Sequence, residues 1–122
     1  MRFEFASPAR IIFGSGTATQ IGALAREFGR RAVVTTGLDP AHSERILAAL
    51  SAAGIDYVTL PVAGEPTTDL ARQGARLARE SNCDLVIGLG GGSAIDAAKA
   101  VAALAANGGD PLDYLEVVGR GQ

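Results

Sequence analysis

At 122 residues the chain has the size of one ordinary domain and is long enough to bury a core. Thirteen acidic against eleven basic side chains leave a net charge of −2, which gives nucleic acid or an anionic membrane surface little to attract it. A single cysteine, Cys83, excludes an internal disulfide and fits a reducing compartment. With no apolar signal segment at the N-terminus and no run of membrane-spanning length, the expected location is the cytoplasm.

The elements announce themselves in order. Phe3–Phe5 and Arg10–Phe13 read as two short β-rich pieces separated by Ser7-Pro8 and ended by Gly14-Ser15-Gly16. Ile21, Leu24, Ala25 and Phe28 fall on one face of a helix that Gly29 stops. Residues 32–36 form an apolar strand ending at Gly37, and Asp39-Pro40 starts a helix whose stripe is Ile46, Leu47, Leu50 and Ala53. A strand over 55–60 ends at Pro61. Thr67 or Thr68 then caps a helix to about Glu80, with Leu70, Gly74, Leu77 and Ala78 inward and Arg72, Arg76 and Arg79 on a solvated face. The strand Leu85-Val86-Ile87 runs into three glycines. The helix over 93–106 is apolar enough to expect burial on every side, and Asp110-Pro111 opens a final turn. Strands alternating with helices predict an α/β fold with a parallel, Rossmann-like sheet.

The glycines carry the functional signal. Between a strand and a helix, Gly90, Gly91 and Gly92 let a phosphate approach the backbone where any Cβ would hold it off, and Ser93 adds a hydroxyl donor. Asp96 and Lys99, three residues apart, project from one side of the helix. The generic fingerprints fit badly. No Gly-Lys pair exists for a nucleotide-hydrolase loop, and Gly88-Leu89-Gly90-Gly91-Gly92-Ser93 has serine where G-x-G-x-x-G needs its last glycine. From the glycines alone, a tight strand-to-helix turn without a ligand stays open.

The stretch Gly90-Gly91-Gly92-Ser93-Ala94-Ile95-Asp96-Ala97-Ala98-Lys99 resembles the GGGSxxDxAK signature of iron-containing (group III) alcohol dehydrogenases. Residues 8–16, PARIIFGSG, resemble that family's opening hairpin and glycine turn, and residues 109–114, GDPLDY, its continuation. Glycerol dehydrogenases, glycerol-1-phosphate dehydrogenases and dehydroquinate synthases share the glycines and the Asp–Lys pair, but Ser93 favours the alcohol dehydrogenase branch. The resemblance implies that residues 1–122 are an NAD(P)-binding domain with a dehydroquinate-synthase-like N-terminal fold. A separate C-terminal helical domain, absent from this chain, would hold iron or zinc. It also implies a small alcohol or aldehyde substrate. The apolar surface uncovered without the second domain, together with the all-apolar helix 95–106, predicts a homo-oligomer. Gly90, Gly91, Gly92 and Ser93 would hold the pyrophosphate, Asp96 would lie near the nicotinamide, and Lys99 would order that region. A stand-alone dinucleotide- or phosphate-binding module without chemistry is the alternative.

Two positions depart from the family's pattern. Where many members have an aspartate for the adenosine 2′-hydroxyl, this chain has Gly37, which leaves NADP as open as NAD. Asp39 is a substitute, although its Asp-Pro setting reads as a helix cap. The loop Gly64-Glu65-Pro66-Thr67 lacks the asparagine that often precedes the proline. The sole histidine, His42, reads as a surface residue, and one histidine with scattered acids makes no three-ligand metal site.

Overall fold

A computed structural model describes residues 10–115 together with Gly119 and Gly121. A 3-10 turn over Thr17–Gln20 leads into α1 (Ile21–Ala25). There follow β1 (Arg31–Thr36), α2 (Pro40–Ala52), β2 (Asp56–Pro61), α3 (Thr68–Glu80), β3 (Leu85–Leu89), α4 (Gly92–Asn107) and α5 (Pro111–Tyr114). The three strands form one parallel sheet in the order β2-β1-β3, with Val34 opposite Thr59 on one side and Ile87 on the other.

Central β1 is apolar on both faces because helices cover both. Ala32 and Val34 join Ala25, Leu50, Ile55 and Ile87 in the layer under α1 and α2. Val33 joins Leu60, Ala78 and Val101 in the layer under α3 and α4. Leu50, Val33 and Val101 are fully buried, each contributing about 1.5–3 kcal/mol of hydrophobic stabilisation. Gly74 sits where α3 meets α4, and a Cβ there would collide with Val101 and Leu60.

Several expectations are corrected. Arg10–Phe13 forms no strand: no described strand lies beside it, Arg10 pairs instead with Glu27 at 2.8 Å, and Phe13 is 98% exposed. The other arm of the expected hairpin, Phe3–Phe5, lies outside the described residues. The first helix ends at Ala25, three residues short of Phe28, which consequently points outward. On α3 the fully buried stripe is Ala71, Gly74, Ala75 and Ala78, with Leu70 and Leu77 only half-buried, because close helix packing selects the small side chains. Helix α4 is buried along one stripe only, Ala94, Ala97, Val101 and Leu104, since it meets the sheet and α3 on one side. Ile95 and the alanines at 102, 103 and 106 are exposed.

The arginines of α3 also do more than face water. Arg72 clasps Asp110 through two hydrogen bonds of 2.7 and 2.9 Å and reaches Asp69, fastening α5 to α3. Arg79 donates to the Leu104 carbonyl near the end of α4.

Candidate functional site

The helix after β1 packs on one face of the sheet and the helix before β3 on the other, so the chain reverses its winding between β1 and β3. Beyond the C-terminal ends of such a strand pair lies the crevice where open α/β sheets bind ligands. Here the two strand ends touch: the Gly37 N–H donates to the Leu89 carbonyl at 3.0 Å. Gly37 and the Gly90–Gly92 turn, 53 residues apart in sequence, are thereby brought together.

The glycines of this turn have different reasons to be glycine. Gly90 holds φ +145°, and a Cβ on it would press to 3.1 Å from Ala94 Cβ and 3.3 Å from the Gly37 nitrogen, so the fold itself requires it. Gly88 is constrained by packing alone, because a Cβ would press to 3.1 Å on Ile95 Cα and Ala98 Cβ where α4 lies on β3. Gly91 and Gly92 are not constrained. A Cβ at either finds nothing within 4 Å, and Gly91 has an ordinary extended backbone at φ −81°. A tight turn therefore explains Gly90 and leaves Gly91 and Gly92 as bare backbone open to a ligand. A Cβ at Gly37 would stand 3.6 Å from Ala94 Cβ and the Val62 carbonyl, an ordinary contact.

Helix α4 begins at this bare turn without a side-chain cap, whereas Asp39, Thr67 and Asp110 cap α2, α3 and α5. Its first backbone N–H groups and the positive end of its dipole are directed into the crevice, a donor set that suits a phosphate. Ser93, the second residue of α4, is half-buried, and its hydroxyl makes no hydrogen bond among the described residues. Lys99 Nζ donates to Asp96 Oδ1 at 3.1 Å, so the two side chains do share one side of the helix. Both are largely exposed, and the pair by itself contributes little to stability.

Two residues that the sequence did not single out tie the sheet together, one of them at this turn. Thr35 is fully buried, and its hydroxyl donates at 2.8 Å to the Ala94 carbonyl in the first turn of α4, with the Ile87 carbonyl of β3 at 3.4 Å. One hydroxyl thus ties β1, β3 and the start of α4. At the other end of the sheet, Asp84 accepts the backbone N–H groups of Arg30 and Arg31 at 2.8–2.9 Å, and these bonds hold its carboxyl below the usual carboxylate range. A threonine in an apolar strand and an aspartate at a strand's start give no sequence signal beyond their type.

His42 is not isolated. Asp39 caps α2 by accepting the His42 backbone N–H on Oδ1 at 3.1 Å, while its Oδ2 lies 2.6 Å from His42 Nδ1. The backbone bond first, then the ring, lowers the Asp39 carboxyl below its ordinary value. Cys83 lies at the far end of β3, and partial burial raises its thiol. Iron or zinc does not fit the residues present: among the described residues no three His, Cys, Asp or Glu side chains gather into a ligand set. No described helix is long and apolar enough to cross a membrane.

Comparison with known proteins gives one answer. Residues 8–122 match the family profile described as iron-containing alcohol dehydrogenase. The NAD-dependent methanol dehydrogenase of Bacillus methanolicus is 32% identical over 115 residues, which are 90% of this chain and 30% of that protein. Among solved structures, the NADH-dependent butanol dehydrogenase A of Thermotoga maritima superposes with a TM-score of 0.83 at 30% identity, covering 92% of this chain and 30% of that one. The sulfoacetaldehyde reductase of Bifidobacterium kashiwanohense, solved in complex with NAD+, gives 0.81 at 26% identity, covering 96% and 32%. The chain therefore spans about 30% of the length of the relatives it matches, and it belongs to the iron-containing alcohol dehydrogenase family.

Proposed function

We propose that residues 1–122 form the dinucleotide-binding domain of an NAD(P)-dependent alcohol dehydrogenase, which in the complete enzyme moves a hydride between a small alcohol and its aldehyde. The observation that carries this reading is the bare Gly91–Gly92 turn opening onto the uncapped start of α4. The first N–H groups of α4 and the Ser93 hydroxyl would donate to the pyrophosphate. Asp96 and Lys99, one and nearly two turns further along α4 and paired with each other, would lie toward the nicotinamide end. A bound nicotinamide supplies or accepts the hydride at its C4. The names of the relatives support this cofactor class and a small-molecule substrate.

The described residues give iron or zinc no ligand set. Relatives about three times as long have room for such ligands in a separate helical domain. Self-association into a homo-oligomer is supported by the exposed Phe13 and Phe28, and a cytoplasmic setting by the single cysteine.

Titration calorimetry with NADH and NADPH tests the reading. Saturable binding of at least one of them, competed by ADP-ribose, is expected. Absence of saturation by millimolar concentrations of both overturns it.

A further inference from the structure

A dinucleotide seated on the glycine turn leaves one contact unassigned, the one to its adenosine ribose. In dinucleotide-binding folds this ribose lies beside a strand end near the phosphate loop. There an acid takes the 2′-hydroxyl or a cation takes a 2′-phosphate. At this strand end Gly37 offers no side chain. Asp39, two residues on, has both oxygens engaged, Oδ1 by the His42 N–H and Oδ2 by the His42 ring. The group left facing outward is the imidazole itself, 77% exposed. An ionised carboxylate only accepts, so Nδ1 carries the proton toward Asp39 and Nε2 is left for a ligand.

The packing of α2 shows which side of the helix carries His42. One side of the helix, Pro40, Glu44, Leu47 and Ala48, looks toward Tyr57 of β2. The other side carries Ala49 and Ala53 against Gly22 of α1, and His42 belongs to this row at helical spacing. In turn α1 lies along β3, its Ile21, Leu24 and Ala25 lining one groove with Ile87 and Gly88. His42 therefore stands at the crevice end of α2, on the side turned toward β3 and the glycine turn.

Resting on the dinucleotide-binding function proposed for the glycine turn, we propose that His42, held by Asp39, reads the 2′ position of the adenosine ribose and accepts a 2′-phosphate. In its protonated form the ring presents an Nε2–H donor and offsets the Asp39 charge, which would otherwise repel the phosphate. Removing the ring therefore acts twice against NADPH, by losing the donor and by exposing the carboxylate. For NADH the same change frees an acceptor for the 2′-hydroxyl.

The test is calorimetry of the 122-residue chain and of His42→Ala with NADPH and NADH at fixed salt. The ring is exposed and the capping bond uses the His42 backbone, so the variant keeps its fold, which a thermal melt checks. His42→Ala should weaken NADPH at least about tenfold, or 1.4 kcal/mol, while NADH stays equal or tightens, and adding Asp39→Asn should restore part of the NADPH affinity. Equal effects on both cofactors, or on neither, overturn the assignment while leaving the dinucleotide site standing. A wild-type chain that binds neither cofactor overturns both.

Discussion

Gly91→Val separates a ligand's demand for glycine from the fold's own. The added side chain finds nothing within 4 Å, and the backbone at φ −81° is one that valine adopts without strain. The variant's only conformational cost is a poorer residue at the helix start, about 1 kcal/mol at most. With an unfolding entropy near 0.26 kcal/mol/K for a chain of 122 residues, that lowers the melting temperature by about 4 °C. The same side chain stands where the proposed phosphate would come. Two charge-assisted hydrogen bonds of about 1.5–3 kcal/mol each are lost, so dinucleotide affinity should fall at least about a hundredfold, or 2.7 kcal/mol. Gly88→Ala gives the opposite signature. Its Cβ presses on Ile95 Cα and Ala98 Cβ, and overpacking of about 1–3 kcal/mol should cost about 4–12 °C. Thermal melts and calorimetric titrations of both variants decide the matter. Gly91→Val with full affinity refutes the phosphate site, and a melting loss well beyond about 4 °C shows that the turn needs its glycine for itself.

Other perturbations probe the supports of the site. Thr35→Val keeps the shape but removes the bond to the Ala94 carbonyl; it should cost about 1 kcal/mol and speed hydrogen exchange in the first turn of α4, and unchanged exchange there would refute the tie. Gly37→Asp has room for its side chain and should disfavour NADPH against NADH at least about tenfold, about 1.4 kcal/mol; equal effects on both would move the ribose elsewhere. Asp84, Asp39 and Asp110 all have carboxyls lowered in the fold, Asp84 and Asp39 mainly by backbone N–H groups and Asp110 mainly by Arg72. Their stabilisation is complete above the unfolded value of about 3.9 and is lost as pH falls through the still lower folded values. Melting temperature should thus decline below about pH 4, and Asp84→Asn should lower it at neutral pH while flattening that decline; an unchanged acid limb would refute the role of Asp84.

Local signals carried much of this architecture. Asp39, Thr67 and Asp110 cap the helices that their sequence positions predict, because capping depends on residues within one turn. The order of strands and helices follows from apolar runs and glycine stops, and GGGS marked the turn. What stayed hidden depends on partners distant in sequence. Thr35 reaches Ala94 across 59 residues and Asp84 reaches Arg30 across 54, and neither residue type advertises such a bond. Composition misled on α4, since an all-apolar helix is buried only where neighbours exist to bury it. His42 is the surface residue it reads as, but its ring contact stayed hidden because Asp39, three residues earlier, already had a sufficient role as a cap.

The glycine turn hangs from β3, and among the described strands β3 has a single neighbour, β1. Among the described residues β3 is thus laddered on one side only, which makes its detachment one route by which the turn can be disturbed. Thr35 opposes that detachment from beneath, through the Ile87 and Ala94 carbonyls together. The sharpness of the crevice is in this sense a property of the sheet's edge: whatever stiffens β3 also reduces the entropy that a dinucleotide would otherwise have to remove on binding.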